Sequence, residues 1–268
     1  SFCTPIYIND TLDGNFPNHH PDPAVKENLK QLQEKVKKEK ADFGVAFDGD
    51  GDRLGIVMEN GEILSTEYFM IICIKDIFNT VKNKTFLYDI KCSKSVEDVI
   101  NSLGGTPLCY RTGASYTQYK VHQDNLPFGG EFSGHIFFRD RDADCGSAIY
   151  ASLRFLEIMS RTSEKLSEIV ANFPKYFATD EIKIACPDDK KFQVVEKVKA
   201  YAKSMNYPIN DIDGVRITYT NGWALVRASN TGPNIIFRAE ADTLEGVKIL
   251  ENIYVSMIKK EMANIKSL

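Results

Sequence analysis

The sequence predicts a mixed-sheet α/β protein that ends in a small α+β domain. Short apolar runs such as Thr85–Ile90 and Thr106–Tyr110 alternate with helical stretches, the pattern of strand–helix–strand layers around a parallel core. Beyond Pro174 the alternation gives way to strand, helix, hairpin, strand and helix, which reads as a separate α+β unit. Between two apolar runs, Phe43–Phe47 and Leu54–Met58, lies the loop Asp48-Gly49-Asp50-Gly51-Asp52-Arg53, whose chemistry organises the rest.

The chain has 268 residues, enough for two or more modest domains. With 43% apolar and 26% charged residues it has the composition of an ordinary globular protein. A net charge of −4 argues against a nucleic-acid partner, which would call for a basic stripe. The six cysteines (Cys3, Cys73, Cys92, Cys109, Cys145, Cys186) contain no Cys-x-x-Cys pair and read as reduced thiols of a cytoplasmic protein. The longest apolar stretch, around Tyr68–Ile74, is too short for a membrane span, so no membrane partner is expected. Ser1-Phe2-Cys3 lacks the features of a signal peptide, and with no initiating Met the chain is expected to begin in mid-protein.

Taken in order, Ser1–Pro23 is irregular, with turn signals at Asp13-Gly14 and Pro17-Asn18. Asp22-Pro23 reads as a helix start, Asp as N-cap and Pro at the first helical position, with Val25, Leu29, Leu32 and Val36 on one face as far as Lys40. Two strands flank the acidic loop, and Asn60-Gly61 turns the chain into Ile63-Leu64. Thr66 is expected to cap an apolar helix through Phe78. A strand at 85–90, a helix carrying Val96, Val99 and Ile100, and a strand at 106–110 follow. Then come a short helix from Ala114, a strand at Ile136–Phe138, a helix at 146–160 and a last turn at Lys165–Val170. After the linker near Pro174 the expected order is strand 181–185, helix 190–205, a hairpin turning at Asn221-Gly222, strand 235–241 and helix 244–261. The predicted division is 1–65, 66–172 and 173–268.

Four polar loops carry the chemistry. Asp48, Asp50 and Asp52 repel one another and need a cation to hold them together; alternating carboxylates with glycines between them suit a hard oxygen-preferring ion such as Mg²⁺ or Ca²⁺. Arg53 at the sixth position, where Gly is needed, and the strand flanks argue against an EF-hand. In Gly130-Glu131-Phe132-Ser133-Gly134-His135, glycines bracket a carboxylate, a hydroxyl and an imidazole, a set suited to sugar hydroxyls. Arg227-Ala228-Ser229-Asn230-Thr231-Gly232-Pro233, with Arg238 on the next strand, offers a guanidinium, hydroxyls, an amide and turn N–H groups as an anion cradle. Lys91 and Arg111-Thr112-Gly113 end two strands, where open α/β sheets place ligands.

Acidic loop, sugar-type loop and phosphate-type loop, in that order, resemble the α-D-phosphohexomutase superfamily, specifically its phosphomannomutase/phosphoglucomutase branch. Gly14–Pro21, Ala46–Arg53, Phe128–His135, Trp223–Pro233 and Arg238–Ala241 carry the resemblance, which runs from about residue 12 to 250. It implies phosphohexomutase domains: the end of domain 2 at 1–65, domain 3 at 66–172 and domain 4 at 173–268. It also implies interconversion of hexose 6-phosphate and hexose 1-phosphate, of glucose or mannose, through an active-site phosphoserine and a hexose 1,6-bisphosphate. By that likeness Asp48, Asp50 and Asp52 would hold Mg²⁺, and Arg53 would stabilise the transferring phosphoryl group. Lys91 would act as acid/base or phosphate ligand and His135 would share proton transfer. Glu131 and Ser133 would hold sugar hydroxyls, while Arg227, Ser229, Asn230, Thr231 and Arg238 would hold the non-reacting phosphate.

The sequence also departs from that pattern. The Ser-His-Asn-Pro-type loop that carries the family's catalytic serine occurs nowhere in residues 1–268. The chain is therefore expected to be a C-terminal portion, partnered by the missing N-terminal domains, inactive alone and with weak or absent metal affinity. Alternatives are a serine-less phosphosugar- or metal-binding protein and a phosphoglucosamine mutase. Ala114 stands where many members have His, and Asp144-Cys145-Gly146 where Asp-Asp-Gly is common.

Overall fold

The computed structural model describes residues 3–11, 13–141 and 146–265, so the Asp144-Cys145 departure lies outside the described residues. The chain divides into two compact units, Ser1–Pro174 and Lys175–Leu268. Among the described residues no helix is long and apolar enough to cross a membrane.

In the first unit a 3₁₀ turn at Lys26–Leu29, with Leu29 buried, leads into helix α1 (Lys30–Glu39), whose Val36 is buried. The helix starts later than Asp22-Pro23 suggests. Val25 is extended (φ −92°, ψ 112°) and exposed, so it is not on the buried helix face. The Asp22 carboxylate caps only a local turn, accepting from the Ala24 N–H at 3.0 Å, and also accepts from Arg53 Nη1 at 3.1 Å. A tertiary ion pair has taken the side chain that the N-cap needed.

Strands β1 (Phe43–Phe47), β2 (Leu54–Met58) and β3 (Ile63–Leu64) form an antiparallel meander, with the acidic loop joining β1 to β2. Helix α2 (Thr66–Ile77) follows, and its cap is Ser65, not Thr66, accepting from the Tyr68 N–H at 3.2 Å. Next come β4 (Thr85–Asp89), α3 (Lys94–Ser102), β5 (Thr106–Tyr110), α4 (Ala114–Gln123), β6 (Phe128–Gly130), β7 (Ile136–Phe138), α5 (Ala148–Met159) and α6 (Leu166–Ala171). Their sheet runs β5-β4-β6-β7, parallel for the first three strands and antiparallel at β7. The ends of β4 and β5 thus open on one edge, where Lys91 and Arg111 follow. Phe155 of α5 is fully buried and packs edge-on against Phe43 of β1 (centroids 5.0 Å apart) and against Phe69 of α2 (5.3 Å). One ring thereby locks the acidic-loop sheet onto the helical layer.

The second unit comprises β8 (Phe177–Ala178), β9 (Ile182–Ala185), α7 (Asp188–Ser204), β10 (Ile209–Asn210), β11 (Val215–Tyr219), β12 (Gly222–Ala228), β13 (Asn234–Ala241) and α8 (Leu244–Asn264). The antiparallel sheet runs β10-β11-β12-β13, and β8 and β9 share the outer edge of β13 end to end. One sheet face contributes Val215, Ile217, Ala224, Val226, Phe237 and Ala239 to a core with Val194, Val198, Leu250 and Tyr254 of the two helices.

Replacing Phe155 by Ala is expected to lower the unfolding free energy by about 3–5 kcal/mol, read from urea unfolding, because a cavity opens where three elements meet.

Candidate active site

The acidic loop is shaped by its own first carboxylate. Asp48 is buried, and its Oδ1 accepts the N–H groups of Asp52 and Arg53, both at 3.0 Å. Its Oδ2 accepts from Arg53 Nε at 2.7 Å. Burial would raise the Asp48 pKa, yet these hydrogen bonds outweigh it and hold the carboxyl below its ordinary range. Asp52 goes the other way. Burial raises it, the charges of Asp48 and Asp50 add to the rise, and His135 only partly opposes them. Single oxygens of Asp48, Asp50 and Asp52 lie within 4.8 Å of one another. Three oxygen donors gathered this closely fit a hard divalent cation.

The acidic loop and the sugar-type loop are one structure. The Leu54 N–H donates to Gly134 O at 3.1 Å, and Arg53 and His135 form an antiparallel bridge. His135 Nε2 lies 3.3 Å from Asp52 Oδ2 and its Nδ1 lies 3.1 Å from Glu131 Oε2. Burial disfavours the imidazolium, but the hydrogen bond and charge of Glu131, helped by Asp52, hold the His135 pKa above its ordinary value. The imidazole is thus a link between the two loops.

Glu131 is almost wholly buried. Its Oε1 accepts the Gly113 N–H at 2.7 Å and the Thr117 hydroxyl at 2.8 Å. Its Oε2 faces Ser133 Oγ at 3.3 Å as well as His135. Burial pushes its pKa up, but the bonds from His135, Thr117 and Gly113 prevail and hold it low. Glu131 is therefore a buried acceptor whose Oε2 is shared by Ser133 and His135.

Asp89, unanticipated from sequence, sits beneath these loops. It is fully buried, accepting from the Phe132 N–H at 3.1 Å, Thr112 Oγ1 at 2.9 Å and Cys92 Sγ at 3.0 Å. Burial raises its pKa, Lys91 opposing and Glu131 adding to the rise. Lys91 is buried, its Nζ 5.4 Å from the Phe132 ring centroid, and Arg111 stacks on Tyr116 at 4.0 Å. A cleft of about 610 Å³ lies beside this centre, between residues 8–32 and β1. It reaches Asp48 and Gly49 but not Asp50 or Asp52, so it is not the cation position.

In the second unit the loop between β12 and β13 is closed by the Ser229 N–H donating to Asn234 O at 2.9 Å. The Thr231 N–H donates to Ser229 Oγ at 3.3 Å, while Asn230 and Thr231 are exposed. Arg227 is buried and held in a fork by Asp213, Nε to Oδ2 at 3.0 Å and Nη2 to Oδ1 at 3.4 Å. Gly214 makes that fork possible. It sits at φ +79°, where a Cβ would come within 2.5 Å of Val226 O. Arg238 pairs with Leu225 and Arg227 with Ile236, so both guanidiniums leave the same sheet face; Arg238 is buried near the Trp223 ring.

The acidic and sugar-type loops thus meet at the Arg53–His135 bridge, with Glu131 and Ser133 against His135, and Arg227 and Arg238 share one sheet face of the second unit. The residues sequence reasoning missed are the supports, Asp89, Thr117 and Asp213. Asp213-Gly214 carries a turn signal, whereas nothing local marks the other two.

Models of three domains of the phosphoglucomutase/phosphomannomutase family match the chain: alpha/beta/alpha domain II over residues 2–61, alpha/beta/alpha domain III over 65–177 and the C-terminal domain over 181–252. The chain belongs to this family. It is 38% identical over 257 residues to a phosphomannomutase/phosphoglucomutase of Pseudomonas aeruginosa, covering 96% of this chain and 56% of that protein. It is 36% identical to a phosphoglucomutase of Neisseria gonorrhoeae, covering 92% of this chain and 54% of the relative. The crystal structure of a phosphoglucomutase/phosphomannomutase family protein from Burkholderia thailandensis superposes with a TM-score of 0.85 at 33% identity, over 93% of this chain and 53% of that one. The chain spans about half the length of the curated relatives it matches.

Replacing Gly134 (φ +100°) by Ala places a Cβ 2.9 Å from Leu54 O, in the bridge between the two loops. A loss of roughly 1–3 kcal/mol in thermal or urea unfolding is expected.

Proposed function

We propose that this chain carries the metal, sugar and phosphate-binding parts of a phosphohexomutase that interconverts hexose 6-phosphates and hexose 1-phosphates through a hexose 1,6-bisphosphate. The observation that supports it most is the His135 link, which joins a three-carboxylate loop to a buried sugar-type carboxylate at 3.3 and 3.1 Å. Family membership and the names of the relatives support the same reaction class.

Asp48, Asp50 and Asp52 would hold Mg²⁺, which when bound supplies positive charge for phosphoryl transfer. Arg53 brings a second cation, kept on station by Asp48 and Asp22. Glu131 accepts a sugar hydroxyl at Oε2, where it takes the place of the Ser133 hydroxyl, and Ser133 then turns to the sugar. His135 holds or releases a proton between Asp52 and Glu131, and Lys91 adds charge above the buried Asp89. Arg227, Ser229, Asn230, Thr231 and Arg238 grip the phosphate that is not reacting. A remote clamp of this kind contributes binding energy in either sugar orientation. The segments 1–65, 66–172 and 173–268 would be the end of domain 2, domain 3 and domain 4. A reducing, cytoplasmic setting is proposed from the scattered cysteines, which contain no Cys-x-x-Cys pair.

The phosphoryl carrier lies outside this site, since no Ser-His-Asn-Pro loop occurs within residues 1–268. That same observation favours a second reading, a serine-less phosphosugar-binding protein. Glu131-Phe132-Ser133 favours glucose or mannose over glucosamine phosphates.

Titration of the 268-residue chain with glucose 1,6-bisphosphate is expected to give binding that Arg227→Ala weakens at least about tenfold, with no turnover of glucose 1-phosphate. Unchanged affinity in Arg227→Ala would remove the phosphate-loop assignment. Turnover by this chain would show that a carrier other than that loop is at work.

A further inference from the structure

The phosphate loop rests on a buried lysine from another element. Lys191 lies in the first turn of α7, 7% exposed, with its ammonium inside the unit. Its Nζ donates to Ser229 O at 2.8 Å and to Gly232 O at 3.3 Å, one carbonyl near each end of the loop. Asp188, on the same turn, pairs with it at 2.6 Å. The Cys186 N–H, just ahead of the helix, donates to Pro233 O at 2.8 Å, so the helix start and the loop are tied at a second point.

Neither burial nor helix electrostatics recommends a lysine here. Removing an ammonium from water is costly, and a cation in the first helical turn opposes the positive end of the helix dipole. Asp188 offsets part of that cost but is itself mostly exposed. What the position does achieve is orientation. In a trans peptide the carbonyl of one residue and the N–H of the next point in opposite directions. With the Ser229 carbonyl drawn toward Lys191, the Asn230 N–H faces away from it, on the exposed side of the loop. Were the lysine absent, that peptide could turn over and present a carbonyl oxygen where an anion must approach.

We propose that Lys191 is a positioning residue for anion binding: its buried ammonium draws the Ser229 carbonyl inward, with Gly232 O as a second anchor, and so turns the Asn230 N–H outward to a phosphate group. The proposal rests on reading the Arg227–Pro233 loop as the phosphate clamp. The ligand class is a phosphate monoester dianion or inorganic phosphate, because the loop presents donors and a guanidinium with no carboxylate turned outward among them.

The test is calorimetric titration of the full 268-residue chain with inorganic phosphate and with glucose 6-phosphate, each variant held well below its own unfolding temperature. Lys191→Met is expected to weaken both ligands about tenfold, and Lys191→Arg, which keeps the charge, to stay within about threefold of the wild type. The Asn230 amide resonance should move in Lys191→Met without ligand. Arg227→Ala is measured alongside. If Arg227→Ala loses binding while Lys191→Met binds as the wild type does, even with a lower unfolding temperature, Lys191 is merely structural and the proposal is overturned. If wild type fails to bind, or Arg227→Ala binds equally well, the clamp reading falls and the proposal with it. Should Lys191→Met not fold, Lys191→Gln, which keeps a donor but no charge, takes its place with the same expected loss.

Discussion

Carboxylates crowded at the ends of strands are what the first unit must accommodate, and nearly every polar contact there answers to that need. Asp48, Asp52, Asp89 and Glu131 are wholly or partly withdrawn from water, where an unpaired charge is costly. Each is compensated differently. Asp48 is surrounded by N–H groups and Arg53, and Glu131 by a backbone N–H, a hydroxyl and an imidazole. Asp89 takes a backbone N–H, a hydroxyl and a thiol, with Lys91 nearby. Asp52 is the least compensated, with His135 across 3.3 Å and two like charges beside it. That imbalance marks the place where an added cation would relieve the most repulsion.

The same compensation ties the loops of the first unit to one another. Glu131 cannot be held without the Gly113 N–H and Thr117, which ties the start of α4 to the sugar-type loop. Asp89 ties β4 to both the 111–113 loop and Phe132. The backbone bridge between Arg53 and His135 then joins this group to the acidic hairpin. The second unit repeats the logic with opposite sign: buried cations, Arg227 and Lys191, are oriented by Asp213 and by loop carbonyls. Charges intended for a ligand are first fixed by charges of the protein, which lowers the ordering cost of binding.

Much of this was legible in the sequence, for physical reasons. The β11–β12 hairpin is written in alternating Val215, Ile217 and Tyr219 and in Asn221-Gly222, and the acidic loop is written in contiguous residues. Features that depend on distant partners were not legible. Asp22-Pro23 carries a helix-start signal, but Arg53, 31 residues on, claims the carboxylate. Phe128-Gly129-Gly130 shows no strand alternation, and β8 and β10 are two residues long, too short for any period to register. Among site residues, those inside motifs were readable while their supports were not. Lys191 lies 38 residues from Ser229, and Thr117 lies 14 from Glu131 on an ordinary-looking helix.

The central claim is that the acidic loop is a divalent-cation site coupled to the sugar-type loop through His135. The most direct measurement is a Mg²⁺ titration of the 268-residue chain followed by amide NMR, with Asp50→Asn as control. The account predicts that, at the high Mg²⁺ concentrations a weak site needs, the amides of residues 48–53 shift together with those of Gly134 and His135, all abolished or greatly weakened in Asp50→Asn. Shifts scattered over exposed acidic residues, or confined to 48–53 with Gly134 and His135 unmoved, would contradict it.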